Sequence, residues 1–348
     1  MRSLNTLASI SMKINGRIAI LVSVFLAAWL FACGKYSTSS LAASDFRIEL
    51  HPIELDRNDP KRIDFDGLRL LSAYHLRSND GRFGGLSGLA IGIDGKFYAV
   101  SDRGFWLSAR MHLQTDGRLL NLADWQIAPL LTPAKRPVNK ALTDAEGLAQ
   151  APDGTFLVSF EHAHRIWRYP APPETLSGAA VPVPLPGEIS KAPKNGGLEA
   201  ISVRPDGQIL AIAERVENDD GSLKAWLIKH GRSVRLSYVP GDGFMASDAV
   251  ALRNGDVLVL ERRHDLPIRF SARLTLIKAR QIRPGVTLTG KEMLRLEPPL
   301  QTDNFEGVAV TETAAGTMIF LVSDDNYFMF QRTLLLQFLL PRSGKSTD

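Results

Sequence analysis

Five stretches of the chain repeat one pattern: an apolar strand carrying a small or acidic residue, a turn, and a second apolar strand ending in an acid. They are Gly85–Gly104, Asp144–His162, Gly197–Arg215, Ser247–Arg262 and Asn304–Asp325. Val, Ile, Leu and Phe dominate both strands of each pair, as in strands buried on both faces. Four of the five turn on Asp94-Gly95, Asp153-Gly154, Asp206-Gly207 or Asn254-Gly255. Such dipeptides accept the positive φ of a type I′ hairpin. The fifth uses a longer turn around Ala315-Gly316, and nothing in between reads as a long amphipathic helix.

Taking Ser87, Glu146, Glu199, Asp248 and Glu306 as equivalent, successive spacings are 59, 53, 49 and 58 residues. That length suits a four-stranded antiparallel blade, and the pattern predicts an all-β chain folded as a single β-propeller. Outer strands are expected in Lys224–His230, Val234–Val239 and Arg273–Lys278. Six blades is the preferred count and five the alternative. A sixth blade would come from Phe46–Glu54 or Leu68–Leu76 together with Thr333–Leu340, closing the ring by pairing the two ends of the chain.

The N-terminus changes the charge picture. Lys13 and Arg17 precede an apolar run from Ile18 to Ala32, too short to span a bilayer and right for a signal peptide. Ser40-Leu41-Ala42 offers the small residues of a cleavage site, giving a leader over 1–42, a propeller domain over 43–348 and an exported, periplasmic or extracellular protein. A second reading makes Cys33 a lipid-anchored residue, although the bulky Phe31 fits that box poorly. Residues 1–42 hold Arg2, Lys13, Arg17 and Lys35 and no acid, so the formal +4 belongs to the leader and the rest is neutral. No electrostatic case for nucleic acid remains. Cys33 is the one cysteine, so the mature domain has no disulfide and relies on core burial.

Each repeat carries acids at two places. The first column is Glu146, Glu199, Asp248 and Glu306, with Ser87 in the first repeat. The second is Asp102, Glu161, Glu214, Glu261 and Asp324, at offsets of 15, 15, 15, 13 and 18 residues. One hairpin geometry would bring both columns to a single funnel on the propeller axis. Converging carboxylates repel one another and raise each other's pKa unless compensated. A divalent cation, Ca²⁺ above all, takes six to eight oxygen ligands and would compensate. Basic neighbours such as Arg103, Arg215 and Arg262 are another source. Two further readings stay open: acids that only satisfy turn amides, and a pocket for a cationic ligand.

Other motifs carry less. Gly285–Glu292 approaches a phosphate-binding loop, but Glu292 replaces the Ser/Thr and no helix follows. No Gly-x-Ser-x-Gly elbow occurs. His162 and His164 share a strand face without a zinc pattern around them. Trp106, Trp167 and Trp226 follow the hairpins and are expected to pack between blades.

The runs FGGLSGLA (83–90), VSDRG (100–104), DAEGLA (144–149), VSFEHAHRIWRY (158–169), NGGLEA (195–200), DNFEGVAV (303–310), VSDDN (322–326) and QRTLLLQF (331–338) resemble the bacterial phytase-like family, also described as esterase-like activity of phytase. The resemblance covers roughly 44–341. It implies a propeller and phosphoester hydrolysis by Asp102, Glu146, Glu161, Glu199, Glu214, Glu306 and Asp324. The leading expectation is a cation-dependent phosphoester hydrolase acting on a small molecule. In it Glu146, Glu199 and Glu306 serve catalysis, Arg103 and Arg215 clamp phosphate, and Asp102, Glu161, Glu214, Asp248, Glu261 and Asp324 hold metal. A Ca²⁺-dependent lactonase or carboxylesterase is the second, and a non-catalytic binding propeller with an apolar rim the third.

Overall fold

The turn chemistry dictates the hairpins, though not by the expected route. The computed structural model describes residues 46–139, 142–189, 192–265 and 269–342; the leader expected over 1–42, with Cys33, lies outside the described residues. At the first turn Gly95 N–H donates to Gly92 O and Gly92 N–H to Lys96 O, both at 2.8 Å. Gly95 alone takes positive φ there, at 75°. This is a type I turn closed by a left-handed glycine, not the type I′ turn the dipeptide suggests. The side chain of Asp153 completes the same design in the second repeat, accepting from Thr155 N–H at 3.0 Å.

In chain order the strands are β1 (Glu49–Pro52), β2 (Asp64–Phe65) and β3 (Leu68–Arg77), followed by the blades. Blade 1 is β4 (Leu86–Ile91), β5 (Lys96–Ser101), β6 (Phe105–Leu113) and β7 (Leu119–Pro129). Blade 2 is β8 (Ala145–Gln150), β9 (Phe156–Phe160), β10 (Arg165–Tyr169) and β11 (Val181–Val183). Blade 3 is β12 (Leu198–Val203), β13 (Ile209–Glu217), β14 (Leu223–Lys229) and β15 (Arg232–Val239). Blade 4 opens with β16 (Met245–Ala251), β17 (Val257–Asp265) and β18 (Arg269–Ile277). After them β19 (Thr287–Thr289) pairs in parallel with β15 at the edge of blade 3, and β20 (Lys291–Leu296) completes blade 4. Blade 5 is β21 (Asn304–Glu312), β22 (Gly316–Asp324) and β23 (Thr333–Pro341), extended by β3, β1 and β2.

The described residues therefore form five sheets, the alternative count and not the preferred six. The termini do close the ring, Thr333 pairing with Leu76 and Leu336 with Ala73. The strands set aside for a sixth blade are the outer strands of the fifth repeat, which supplies only three of its own. Five hydrophobic clusters, one at each blade interface, hold the ring together. Between blades 1 and 2, for example, Trp106 packs edge-on against Phe156 and Tyr169, with centroids at 5.8 and 5.3 Å. Trp226 is likewise buried between blades 2 and 3. No α-helix occurs among the described residues, and no helix there is long and apolar enough to cross a membrane.

Closure is pinned by a buried amide. Gln337 on β23 donates to Gly117 O at 2.8 Å and accepts from Leu119 N–H at 2.7 Å, tying blade 5 to blade 1. Gln337→Leu keeps the volume but strands both backbone groups, at a cost of ~1–3 kcal/mol for each. Urea unfolding should show that loss, and an unchanged midpoint would mean that closure rests on the strands alone.

Candidate functional site

Every inner strand begins with a register break. The ladder slips between Leu86 and Gly88, Ala145 and Leu148, Leu198 and Ala200, Ala246 and Asp248, and Phe305 and Gly307. Such a bulge frees one side chain from the sheet and re-aims it. The freed residues are Ser87, Glu146 with Gly147, Glu199, Ser247 and Glu306. Glycine at 147 is required by close approach, because a Cβ there would run into Glu199 O and Ser159 Oγ.

This register corrects the fourth repeat. Leu86, Ala145, Leu198, Ala246 and Phe305 face Ser101, Phe160, Ala213, Glu261 and Ser323. The following residues, Asp102, Glu161, Glu214, Arg262 and Asp324, thus form the second column. Blade 4 contributes Ser247 and Arg262, 15 residues apart like the pairs of blades 1 to 3, and not Asp248 and Glu261. Those two acids are fully buried and spent on the scaffold. Asp248 Oδ2 accepts from Val308 N–H of the next blade and Oδ1 from Ala249 N–H, both at 2.8 Å. Glu261 accepts from the Tyr238 hydroxyl, from Gly241 N–H and from Arg273.

The remaining acids meet at one end of the axis, in three groups. Oxygens of Asp144, Glu146 and Glu161 lie within 4.8 Å of one another. Backbone N–H groups of Gly196 and Gly197 hold Glu161 through its Oε1. His162 Nδ1 approaches Asp144 Oδ2 at 2.7 Å. Arg262 centres the second group, with its guanidinium 2.9 Å from Glu214, 3.6 Å from Glu199 and 3.5 Å from Glu306. Asn304 steadies Glu306 at 2.7 Å. The third group is Asp102 with Asp324, whose Oδ1 accepts from Asn326 N–H at 2.7 Å. Gly85, at φ 60°, leaves room for Asp102 and the Tyr327 ring, which a Cβ would strike.

The two arginines expected to clamp phosphate are engaged. Arg103 lies 3.1 Å from the centroid of the Tyr327 ring and donates to Gly81 O at 3.2 Å. Arg215 pairs with Glu214 at 2.9 Å.

The field is strongly acidic. Burial pushes Glu146 well above the ordinary carboxylate range, and Glu199, Asp144, Glu306 and Glu161 push it further. Burial also raises Glu199 and Glu306, against the pull of Arg262. Asp324 is raised by burial, then by Glu306 and Asp102. Asp102 rises to about 7, chiefly by burial, and its Oδ1 is buried without a hydrogen-bond partner. Burial alone would lower Arg262, but Glu306, Glu199, Glu214 and Glu146 outweigh it and raise the guanidinium.

The Asp144–Glu146–Glu161 group fits a hard cation. Its donors are all carboxylate oxygens, and two ligands at ~2.4 Å from a shared Ca²⁺ stand at most about 4.8 Å apart.

The family model described as "Phytase-like: Esterase-like activity of phytase" matches residues 81–327, a span that contains the acid-rich motifs of this end of the axis. The chain belongs to the phytase-like family. Its solved structural likenesses include a putative gluconolactonase at 12% identity, with 85% of this chain and 90% of that chain covered and a TM-score of 0.41. An aldose sugar dehydrogenase from Streptomyces coelicolor with bound PQQ matches at 15% identity, 77% and 98% coverage and a TM-score of 0.38. A carbohydrate-active enzyme of family AA12 from Trichoderma reesei matches at 12% identity, 87% and 100% coverage and a TM-score of 0.41. At such scores the likenesses carry no functional weight. No curated protein sequence gives a significant match.

For this phytase-like chain, reading the acids misses Asp144 and leaves Arg262, expected as a compensating base, without its place in the second column. Asp144 sits two residues before Glu146, the spacing that puts side chains on one face of an extended segment. Arg262 is betrayed by the constant 15-residue offset once Ser247, not Asp248, opens the fourth repeat.

Proposed function

We propose that the protein is a cation-assisted hydrolase of esters bearing little negative charge, a carboxyl ester or a lactone. We place it outside the cytoplasm after removal of residues 1–42. The observation that carries the reading is the Asp144–Glu146–Glu161 group set beside Glu199, which Arg262 holds. That group would bind one divalent cation, Ca²⁺ by the nature of its donors, supplying charge to polarise an ester carbonyl and acidify a water. Glu199 is the base: burial gives it a higher proton affinity than a surface carboxylate, and the Arg262 charge beside it opposes that rise. Glu306, raised in the same way and held by Asn304, can return a proton to the leaving alkoxide.

The carboxylate majority repels phosphate, and Arg103 and Arg215 are already paired, so phosphoesters take second place despite the family description. A non-catalytic binding propeller is the third reading, supported by the exposed apolar residues Phe328, Met329 and Phe330. Assays of the mature protein on an aryl carboxyl ester, a lactone, a phosphomonoester and a phosphodiester, each with Ca²⁺ and with chelator, separate the three. Turnover of the first two with Ca²⁺ alone is expected. A preference for phosphoesters would restore the second reading, and no turnover at all would leave the third.

A further inference from the structure

Residues 325–332 join β22 to β23 and leave the sheet directly from Asp324, at the acidic end of the axis. Their attachment is tight. Asp325 Oδ1 accepts from Gly85 N–H at 3.0 Å and from Tyr327 N–H at 3.1 Å. The Tyr327 hydroxyl donates to Gly84 O at 2.9 Å, and its ring stands against Arg103 and beside Asp102. Arg332 N–H donates to Asp303 Oδ2 at 3.1 Å. Asn326 and Tyr327 adopt left-handed φ of 46° and 50°, a conformation costing on the order of 1–2 kcal/mol per residue that these anchors must offset. The held loop presents Phe328, Met329 and Phe330 to solvent, 47, 84 and 65% exposed. The two rings meet edge-to-face with centroids 5.3 Å apart.

Elsewhere among the described residues no two large exposed apolar side chains are consecutive in the chain; this run is the exception. Three consecutive exposed apolar residues on a rigid loop cost solvation and add nothing to the core. They follow directly on Tyr327, whose ring stands beside Asp102, in the loop that leaves the sheet at Asp324, and that position supplies the reason. A loop so placed suits the apolar end of a ligand whose polar end enters the acidic funnel.

We propose that Phe328, Met329 and Phe330 are a specificity platform for the acyl or aryl part of the ester, making the substrate class apolar esters and not sugar-like or polyanionic ones. The inference rests on the hydrolase reading above and narrows its substrate. The acidic mouth beside the loop repels anionic lipid surfaces, which favours a small apolar ester as the occupant.

The test is a p-nitrophenyl ester series from acetyl to octanoyl, with Ca²⁺, on the wild type and on Phe328→Ser/Met329→Ser/Phe330→Ser. For the wild type, kcat/KM should rise on the order of 10- to 100-fold along the series, since each buried methylene contributes up to about fourfold. In the triple variant that ratio should collapse toward one. A general loss of structure lowers all esters together and leaves the ratio standing, which would overturn the platform, as would a flat wild-type series. Met329→Ser alone, at the most exposed position, repeats the test should the triple variant fail to fold. No turnover of any ester sinks the hydrolase reading instead. Binding of alkyl phenyl ketones of increasing length then decides the platform by the same ratio, read as affinity. Loop-dependent sedimentation with phosphatidylcholine vesicles, without any chain-length ratio, would reassign the loop to membranes and overturn the proposal.

Discussion

Arg262→Met should destabilise the metal-free protein by about 3–5 kcal/mol at neutral pH and by much less near pH 4. The guanidinium is the cation that blade 4 contributes where the other blades contribute acids, and it touches Glu199, Glu214 and Glu306. Removing it leaves three buried carboxylates facing one another. Acid reverses the sign of the problem. A carboxyl whose folded pKa lies above its unfolded value binds more protons when folded, so its stabilising contribution is complete below the unfolded pKa near 4. That contribution is lost as pH rises through the folded value, about 7 for Asp102. Glu146, Glu161, Glu199, Glu306 and Asp324 shift in the same direction. Wild-type stability in chelator should therefore fall between about pH 4 and pH 7, and more steeply without Arg262, which opposes the shifts of Glu199 and Glu306. Arg262→Lys should restore part of the loss, a point charge being unable to reach three carboxylates at once. Denaturant unfolding in chelator across this range is the measurement, and an equal loss at both ends would remove Arg262 as the counterion.

The same residue shows where sequence reading succeeds and stops. Apolar strands, Asp-Gly turns and the 15-residue offset are local signals, and they sufficed for the propeller and for most of the acidic funnel. Blade number is non-local: β3 and β23 share a sheet although nearly the whole chain separates them, so a repeat scan finds strands without finding their sheet. The fourth repeat fails for a different reason. Adjacent residues on a strand point to opposite faces, so choosing Asp248 over Ser247 reverses both columns of that blade at once. It sends Asp248 and Glu261 into the funnel on paper, while the fold uses them to hold Val308 and Tyr238. The apolar run Phe328–Phe330 escapes a repeat scan, because it stands outside the repeated strands and its exposure depends on the anchoring of Asp325 and Tyr327 to Gly85 and Gly84.

Glu146→Gln should separate stability from function. The substitution preserves shape and removes the charge on which Glu199, Asp144, Glu306 and Glu161 all bear. Without that repulsion the metal-free protein should be more stable than wild type at pH 7, as replacing a buried charge by a neutral isostere allows. The proposed cation-binding group is reduced to Asp144 and Glu161, so the Ca²⁺-dependent rise in melting temperature expected of wild type should disappear; for wild type that rise would correspond to about 2.7 kcal/mol at 100 times Kd. Ester turnover with Ca²⁺ should fall on the order of 10²- to 10³-fold, the equivalent of the several kcal/mol a correctly held cation contributes. Asp248→Asn is the control. It should lower stability, because one of two buried N–H groups loses its acceptor, while keeping the Ca²⁺ response. Melting with Ca²⁺ and with chelator, together with turnover, tests all of this. A Glu146→Gln protein that keeps both its Ca²⁺ shift and its activity would move the cation site elsewhere in the funnel, to Asp102 and Asp324.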